Sequence, residues 1–204
     1  MNIDYYNAIM SPHIIVDTRE VSEKEWERTH SAPIPITEFR LVRDTLPVGD
    51  YGIIGFSKWD YPAFIIERKE KNDFCACMGN ERARFEREVE KMRQFRFRAL
   101  LVECDRTDIV NGFYQSQISP ATCLSTVDVF SVRAGLQTFW CGNKAGCARQ
   151  VENLVRMFCQ GIVNDVERLE RAHRGPESHA KMPPASGDGK RKKKTQDQKA
   201  GETE

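Results

Sequence analysis

The chain has 204 residues, 40% hydrophobic and 30% charged, with a formal net charge of +1. That length suits one domain with its own core plus an appendage, and the composition excludes a disordered or fibrous protein. No apolar run reaches the ~20 residues of a membrane helix, and residues 1–17 lack the basic and apolar regions of a secretory signal, so an intracellular protein with no membrane association is expected.

Residues 13–17 (HIIVD) form a β-branched run ending in an acid and predict a first strand; residues 46–54 (LPVGDYGII) predict a second, entered at a glycine. The polar stretch 57–62 reads as a hairpin connection into a third strand, residues 63–69 (AFIIERK). A helix is predicted over about 80–95, where Phe85, Val89 and Met92 recur at i, i+4 and i+7 on a charged surface. Residues 99–103 (ALLVE) predict a strand buried on both faces. Ser119 and Pro120 suit the cap and first turn of another helix. Residues 136–140 predict a fifth strand, and a last helix is expected over about 144–172, striped by Val151, Leu154, Val155, Phe158, Ile162, Val166 and Leu169. Beyond residue 160 that stripe leaves apolar surface for a partner, of which a second copy is the simplest. This order predicts the α/β class, a three-layer domain with a mixed central sheet flanked by helices over residues 1–174.

From residue 175 the chain is rich in Pro, Gly, Ser and charge and almost without large apolar side chains, which predicts a disordered basic tail over 175–204. Its GKRKKK run suits phosphate binding, an address or plain solubility. Without the tail the body holds 24 basic and 25 acidic residues, so any affinity for nucleic acid must come from local patches. The seven cysteines are odd in number and lack zinc-site spacing, which favours reduced thiols.

On a strand alternate side chains share a face, so Ile65, Glu67 and Lys69 project one way and Ile66 and Arg68 the other. A half-buried acid and base side by side is costly unless chemistry needs them there. Metal-assisted phosphodiester hydrolysis does: carboxylates hold Mg2+ or Mn2+, and an ammonium orients the attacking water or stabilises the transition state. Asp50 supplies a second carboxylate and Asp17 a third. Taken alone, an Asp followed by Glu-x-Lys fits a solvated rim with an ion pair at least as well.

The segments HIIVDTRE (13–20), LPVGDY (46–51) and IIERKEKND (65–73) resemble the nuclease domain of the XPF family of structure-specific endonucleases. That signature is Gly-Asp, a spacer, then Glu-Arg-Lys-x-x-x-Asp, matched by Gly49, Asp50, Glu67, Arg68, Lys69 and Asp73. Val16, Asp17, Arg19 and Glu20 match an upstream Val-Asp-x-Arg-Glu, and Arg84-Phe85 is similar to the family's Gly-Arg-Phe segment. The resemblance, over about residues 12–160, implies a restriction-endonuclease-like core and a Mg2+ or Mn2+ requirement. It also implies cleavage of DNA at duplex to single-strand junctions such as flaps and forks, in repair or recombination. Carried over by residue, Asp17, Asp50 and Glu67 are the expected metal ligands and Lys69 the catalytic lysine, with Arg68, Glu20, Asp73 and Arg84 binding substrate or supporting the site. For Arg68 an internal ion pair with Asp73 or Glu20 is an equal alternative, and Asp73 equally suits the following turn as a cap.

Two departures stand out. No tandem helix-hairpin-helix pair fits into residues 160–204, so substrate recognition is expected from the nuclease surface, the tail or a partner protein. The Asp-Gly-Arg-Phe turn is replaced by residues 80–85 (NERARF), which leaves open whether Arg82 or Arg84 is the matching arginine. The competing readings are a DNA-binding scaffold that has lost catalysis and a resolvase or restriction-type nuclease. A degenerate scaffold should have lost Asp50, Glu67 or Lys69, and this chain keeps all three. Trp26, Trp59 and Tyr61 are assigned to loops, where they stack on unpaired bases or pack on their own domain. Residues 93–98 (RQFRFR) mix cations and aromatics in a way that suits phosphate or single-strand contact, or a helix end facing solvent.

Overall fold

The structure is a computed structural model that describes residues 9–174; the expected tail lies outside these residues. The strands are β1 (His13–Asp17), β2 (Arg40–Asp44), β3 (Tyr51–Ile53), β4 (Ser57–Lys58), β5 (Tyr61–Pro62), β6 (Phe64–Lys69), β7 (Phe97–Val102) and β8 (Gln137–Trp140). The helices are α1 (Glu23–Thr29), α2 (Lys71–Met78), α3 (Arg82–Met92), α4 (Arg106–Val110), α5 (Pro120–Ala134) and α6 (Lys144–Arg174). A six-stranded sheet has the order β2-β1-β3-β6-β7-β8. β3 runs antiparallel to both β1 and β6, while β2 is parallel to β1, and β6, β7 and β8 are parallel to one another. This is the expected mixed sheet of an α/β fold. β4 and β5 form a separate two-stranded ladder, so the expected hairpin connection carries a small hairpin of its own.

The alternation of β6 divides the core in two. Ile65, with Ile15, Leu100 and Val102, packs under α2, α3 and α5 through Phe74, Phe85, Val89, Met92, Val127 and Phe130. Phe64 and Ile66, with Ile14, Val16, Ala99 and Leu101, pack under α6 through Cys147, Val151, Val155 and Cys159. Helices thus cover both faces, and β7 is buried on both, as its unbroken apolar run predicts. Ser119 caps α5 by accepting from the Thr122 N–H at 3.1 Å, with Pro120 in the first turn, and Gly135 ends it in the left-handed region at φ 62°.

Further elements differ from the sequence reading, among them the short helix α4 in a stretch read as loop. The second strand is only Tyr51–Ile53, because residues 46–50 form an irregular turn through Gly49 at φ 77°. β2 carries Arg40, Arg43 and Asp44 at the sheet edge, where charge hides the strand pattern. α2 is a further helix, with Phe74, Cys75, Cys77 and Met78 buried, and α1 is a short charged helix that places Trp26 on a helix and not in a loop. All seven cysteines are free thiols. Among the described residues no helix is long and apolar enough to cross a membrane. One compact unit ends at Val166; residues 167–174, the last turns of α6, fall in a second.

Candidate active site

The site is assembled by backbone bonds between segments distant in sequence. The Asp17 N–H donates to the Asp50 carbonyl at 2.9 Å, and the Asp50 N–H donates to the Ile66 carbonyl at 2.8 Å. The Arg68 N–H completes the run by donating to Asp50 Oδ2 at 2.7 Å. Gly49 permits this approach. A Cβ there would lie 2.7 Å from Ile65 Cγ1 and 2.8 Å from the Ile66 carbonyl oxygen, and its positive φ strains any other residue. The Gly-Asp pair therefore has a geometric reason: glycine lets the turn press against β6, and the next residue lands beside it. Asp17 is two residues beyond Ile15 and Glu67 two beyond Ile65, so both project from the α2–α3–α5 face of the sheet.

Asp17 is fully buried. Its Oδ1 accepts from the Arg19 N–H at 2.9 Å and from Arg19 Nε at 2.5 Å, and its Oδ2 accepts from the Leu46 N–H at 2.6 Å. Asp17 thus holds the 46–50 turn in place. The bond from Asp17 raises the pKa of Arg19, and the charges of Asp50 and Glu67 add to it, so this guanidinium sits in the field of the whole carboxylate group. Lys69 Nζ bonds to Glu67 Oε1 and lies 6.0 Å from the centre of the Phe85 ring on α3. Burial, followed by the charges of Glu67 and Glu20, pushes the Asp50 carboxyl well above the usual carboxylate range. Burial also raises Glu67, against the opposing pull of Lys69. Burial pulls the Lys69 ammonium down, but Glu67 and Asp50 outweigh it and hold the lysine protonated.

The opposite face of β6 carries a second charged group. The Arg68 guanidinium bonds to Glu103 and lies 3.3 Å from Glu20. All three are nearly buried, with side-chain exposures of 11% for Arg68, 11% for Glu20 and 7% for Glu103. Arg68 therefore braces the C-terminal ends of β6 and β7 and the segment after β1 from behind the carboxylates.

The sequence profile described as ERCC4 domain matches residues 16–154. The chain belongs to the ERCC4 domain family. Nucleases of that family are DNA endonucleases, and solved structures share the fold. XPF from Aeropyrum pernix superposes with a TM-score of 0.52 at 18% identity, over 76% of this chain and 69% of that one. The same protein in complex with DNA gives a TM-score of 0.53 at 19% identity, over 74% and 66%. At these identities the likeness is one of fold. No curated protein sequence matches the chain.

In this ERCC4 domain Asp17, Asp50, Glu67 and Lys69 come together as the sequence suggested, and Glu20 and Arg68 meet behind them. Of the two alternatives for the Arg68 ion pair, Glu20 is the one realised. Asp73 is exposed in the first turn of α2, where it complements the helix dipole. Arg84 is exposed and bonds to Glu81, with Glu88 at 3.7 Å; Arg82 pairs with Glu86 at 2.9 Å. Neither arginine is bonded to Asp50 or Glu67. Three contributors carry no site role in the sequence reading: Arg19, whose place inside Val-Asp-x-Arg-Glu is the available signal; Glu103, which ends an apolar strand; and Phe85, marked as core by its helical spacing and as part of the Arg84-Phe85 match to the family segment.

Among the described residues no three His, Cys, Asp or Glu side chains are grouped so as to hold a metal ion. The donor set still suits a hard cation. Burial pushes both Asp50 and Glu67 toward the protonated form, at Asp50 with the Glu67 charge adding to it, and Mg2+ is commonly held by one or two carboxylates, its other positions taken by water and phosphate oxygens.

Proposed function

We propose that this ERCC4 domain is a metal-dependent endonuclease that hydrolyses phosphodiester bonds in flap, fork or otherwise branched DNA. The observation that carries the reading is the convergence of Asp50, Glu67 and Lys69 on one face of the sheet, with the Lys69 ammonium held against the Glu67 carboxylate. Asp50 and Glu67 would hold Mg2+ or Mn2+, which when bound neutralises phosphate charge and makes water a better nucleophile. Asp17 positions the Asp50 turn and would meet the cation only by releasing Arg19. Lys69, kept protonated by its acidic neighbours, is placed to orient the attacking water or offset charge on the phosphate. Phe85 closes one side of the lysine and limits its exchange with solvent. The same lysine serves binding without catalysis less well, because its charge is spent on Glu67. The retention of all three residues favours an enzyme over a scaffold partner. The Aeropyrum pernix XPF structure in complex with DNA supports DNA as the partner; the duplex to single-strand junction follows from the family resemblance alone.

The test is cleavage of end-labelled flap, fork, four-way-junction, single-stranded and duplex DNA with Mg2+ or Mn2+. Wild type should cut at least one branched substrate in a metal-dependent way. Asp50→Ala should abolish cutting, and Lys69→Ala should slow it by about 10²–10³-fold, the size expected for a lost transition-state donor. Cutting by either variant at the wild-type rate, or none by a folded wild type, refutes the proposal.

A further inference from the structure

Helix α3 is charged unevenly around its axis. Phe85, Val89 and Met92 face the core; Arg84, Arg87 and Lys91, spaced three and four apart, lie along one exposed flank, where Arg84 is paired with Glu81 and with the half-buried Glu88, and Glu86 and Glu90 lie along the other. The helix starts beside the carboxylates, where Phe85 underlies Lys69, and its 11 residues carry it ~16 Å away. At its far end the chain continues through Arg93 and Arg96, and residues 87–98 hold five basic side chains against two acidic ones. An open cleft there is lined by Arg87, Glu90, Lys91, Arg93 and Gln94. Arg98 is used internally, donating to the Ala134 and Phe95 carbonyls, and Arg93 pairs with Glu90 at 3.0 Å. Arg87, Lys91 and Arg96, by contrast, have no acidic partner among the described residues. The β4–β5 hairpin reaches the same end. Trp59 lies 5.6 Å from Phe95 between ring centres and leaves 48% of its surface exposed, and the Arg96 N–H donates to the Pro62 carbonyl at 3.0 Å.

We infer that this flank of α3 is a track for a single-stranded DNA arm, running from the carboxylates over Arg84, Arg87 and Lys91 to an unpaired base stacked on Trp59. The inference rests on the endonuclease reading of the site and assigns the path of the substrate. From Arg84 to Lys91 the cations follow one line ~10 Å long at about 1.5 Å per residue, enough for about three successive phosphates. The exposed indole selects a single strand over a duplex, because only an unpaired base offers its face for stacking. The β4–β5 hairpin and the RQFRFR segment, remote from the chemistry, thereby acquire a common purpose.

The track is tested by fluorescence anisotropy with labelled oligo-dT and with a duplex, in EDTA so that nothing is cut. Trp59→Ala should weaken oligo-dT binding by about ten-fold, in the range for one lost base stack, while Trp59→Phe retains most of it. Arg87→Ala with Lys91→Ala should weaken it by a similar factor and flatten the log–log salt dependence by about 1.4, two single-strand phosphate contacts. Oligo-dT binding within about two-fold of wild type for both the Trp59→Ala and the double variant, each with native circular dichroism, overturns the track. Equal losses on duplex and on oligo-dT overturn its single-strand character. Since the assay needs no metal, an intact track in a protein that cuts nothing would count against the nuclease reading alone.

Discussion

Replacing Arg68 by alanine should be among the most damaging single changes to stability. Its guanidinium serves Glu103 and Glu20 together, and all three side chains are about nine-tenths buried. Removing it leaves two carboxylates facing each other in a poorly solvated place, a loss of about 3–5 kcal/mol when a buried pair is broken from one side. For a domain of this size each kcal/mol is worth roughly 2–4 °C in Tm, so Arg68→Ala should melt roughly 6–20 °C below wild type. Arg68→Lys keeps the charge but not the fork that reaches two acids, and should fall between them. The decisive measurement is a double-mutant cycle by urea unfolding. Glu103→Gln should recover part of the Arg68→Ala loss, giving a coupling of about 1–3 kcal/mol. A loss below about 1 kcal/mol for Arg68→Ala, or strict additivity with Glu103→Gln, would show that the brace is not what holds these strand ends together.

Asp50 offers a pH and metal prediction. Its folded pKa lies above the unfolded one, so the charged form favours the unfolded chain; the stability it contributes is full below the unfolded pKa of about 3.9 and lost as pH rises through the folded value. Without metal at neutral pH, Asp50→Asn should be more stable than wild type by on the order of 1 kcal/mol, and Mg2+ should raise the Tm of wild type only. Thermal melts with and without Mg2+ decide this, and an equal metal response in both proteins rules Asp50 out as a ligand. Gly49→Ala combines a strained φ with a clash against the β6 backbone, and should cost about 2–3 kcal/mol and most of the cleavage activity, since Asp50 moves with it. A variant that folds and cuts like wild type would remove glycine's role in the Gly-Asp pair.

What was legible in the sequence follows from where each side chain's signal is generated. The period of two in β6 and the helical spacing of Phe85, Val89 and Met92 arise from burial against a core, and both the elements and their inward faces came out as read. Asp50, Glu67 and Lys69 were legible because strand geometry brings i and i+2 together and a family pattern linked the two segments. β2 and α1 were not, since an edge strand with Arg40, Arg43 and Asp44 and a helix with no buried residue leave no apolar period. α2 was hidden for the opposite reason: with Phe74, Cys75, Cys77 and Met78 all buried, it has almost no polar face to set off the apolar one. The meeting of Arg68 with Glu103 depends on the parallel register of β6 and β7, which joins residues 35 positions apart and leaves no local trace.

The three N–H hydrogen bonds that run from Asp17 to Asp50, from Asp50 to Ile66 and from Arg68 to the Asp50 carboxylate cross between strands held by very short ladders, β3 meeting β6 through the single register pair Tyr51 and Ile66. The Asp17 carboxylate, bonded to Arg19 and to the Leu46 N–H, ties the same turn, so the three should open together as one small cooperative unit. The exchange of these three amide protons with solvent would then be an internal gauge of the site, reporting its readiness in a resting protein before any nucleic acid is added.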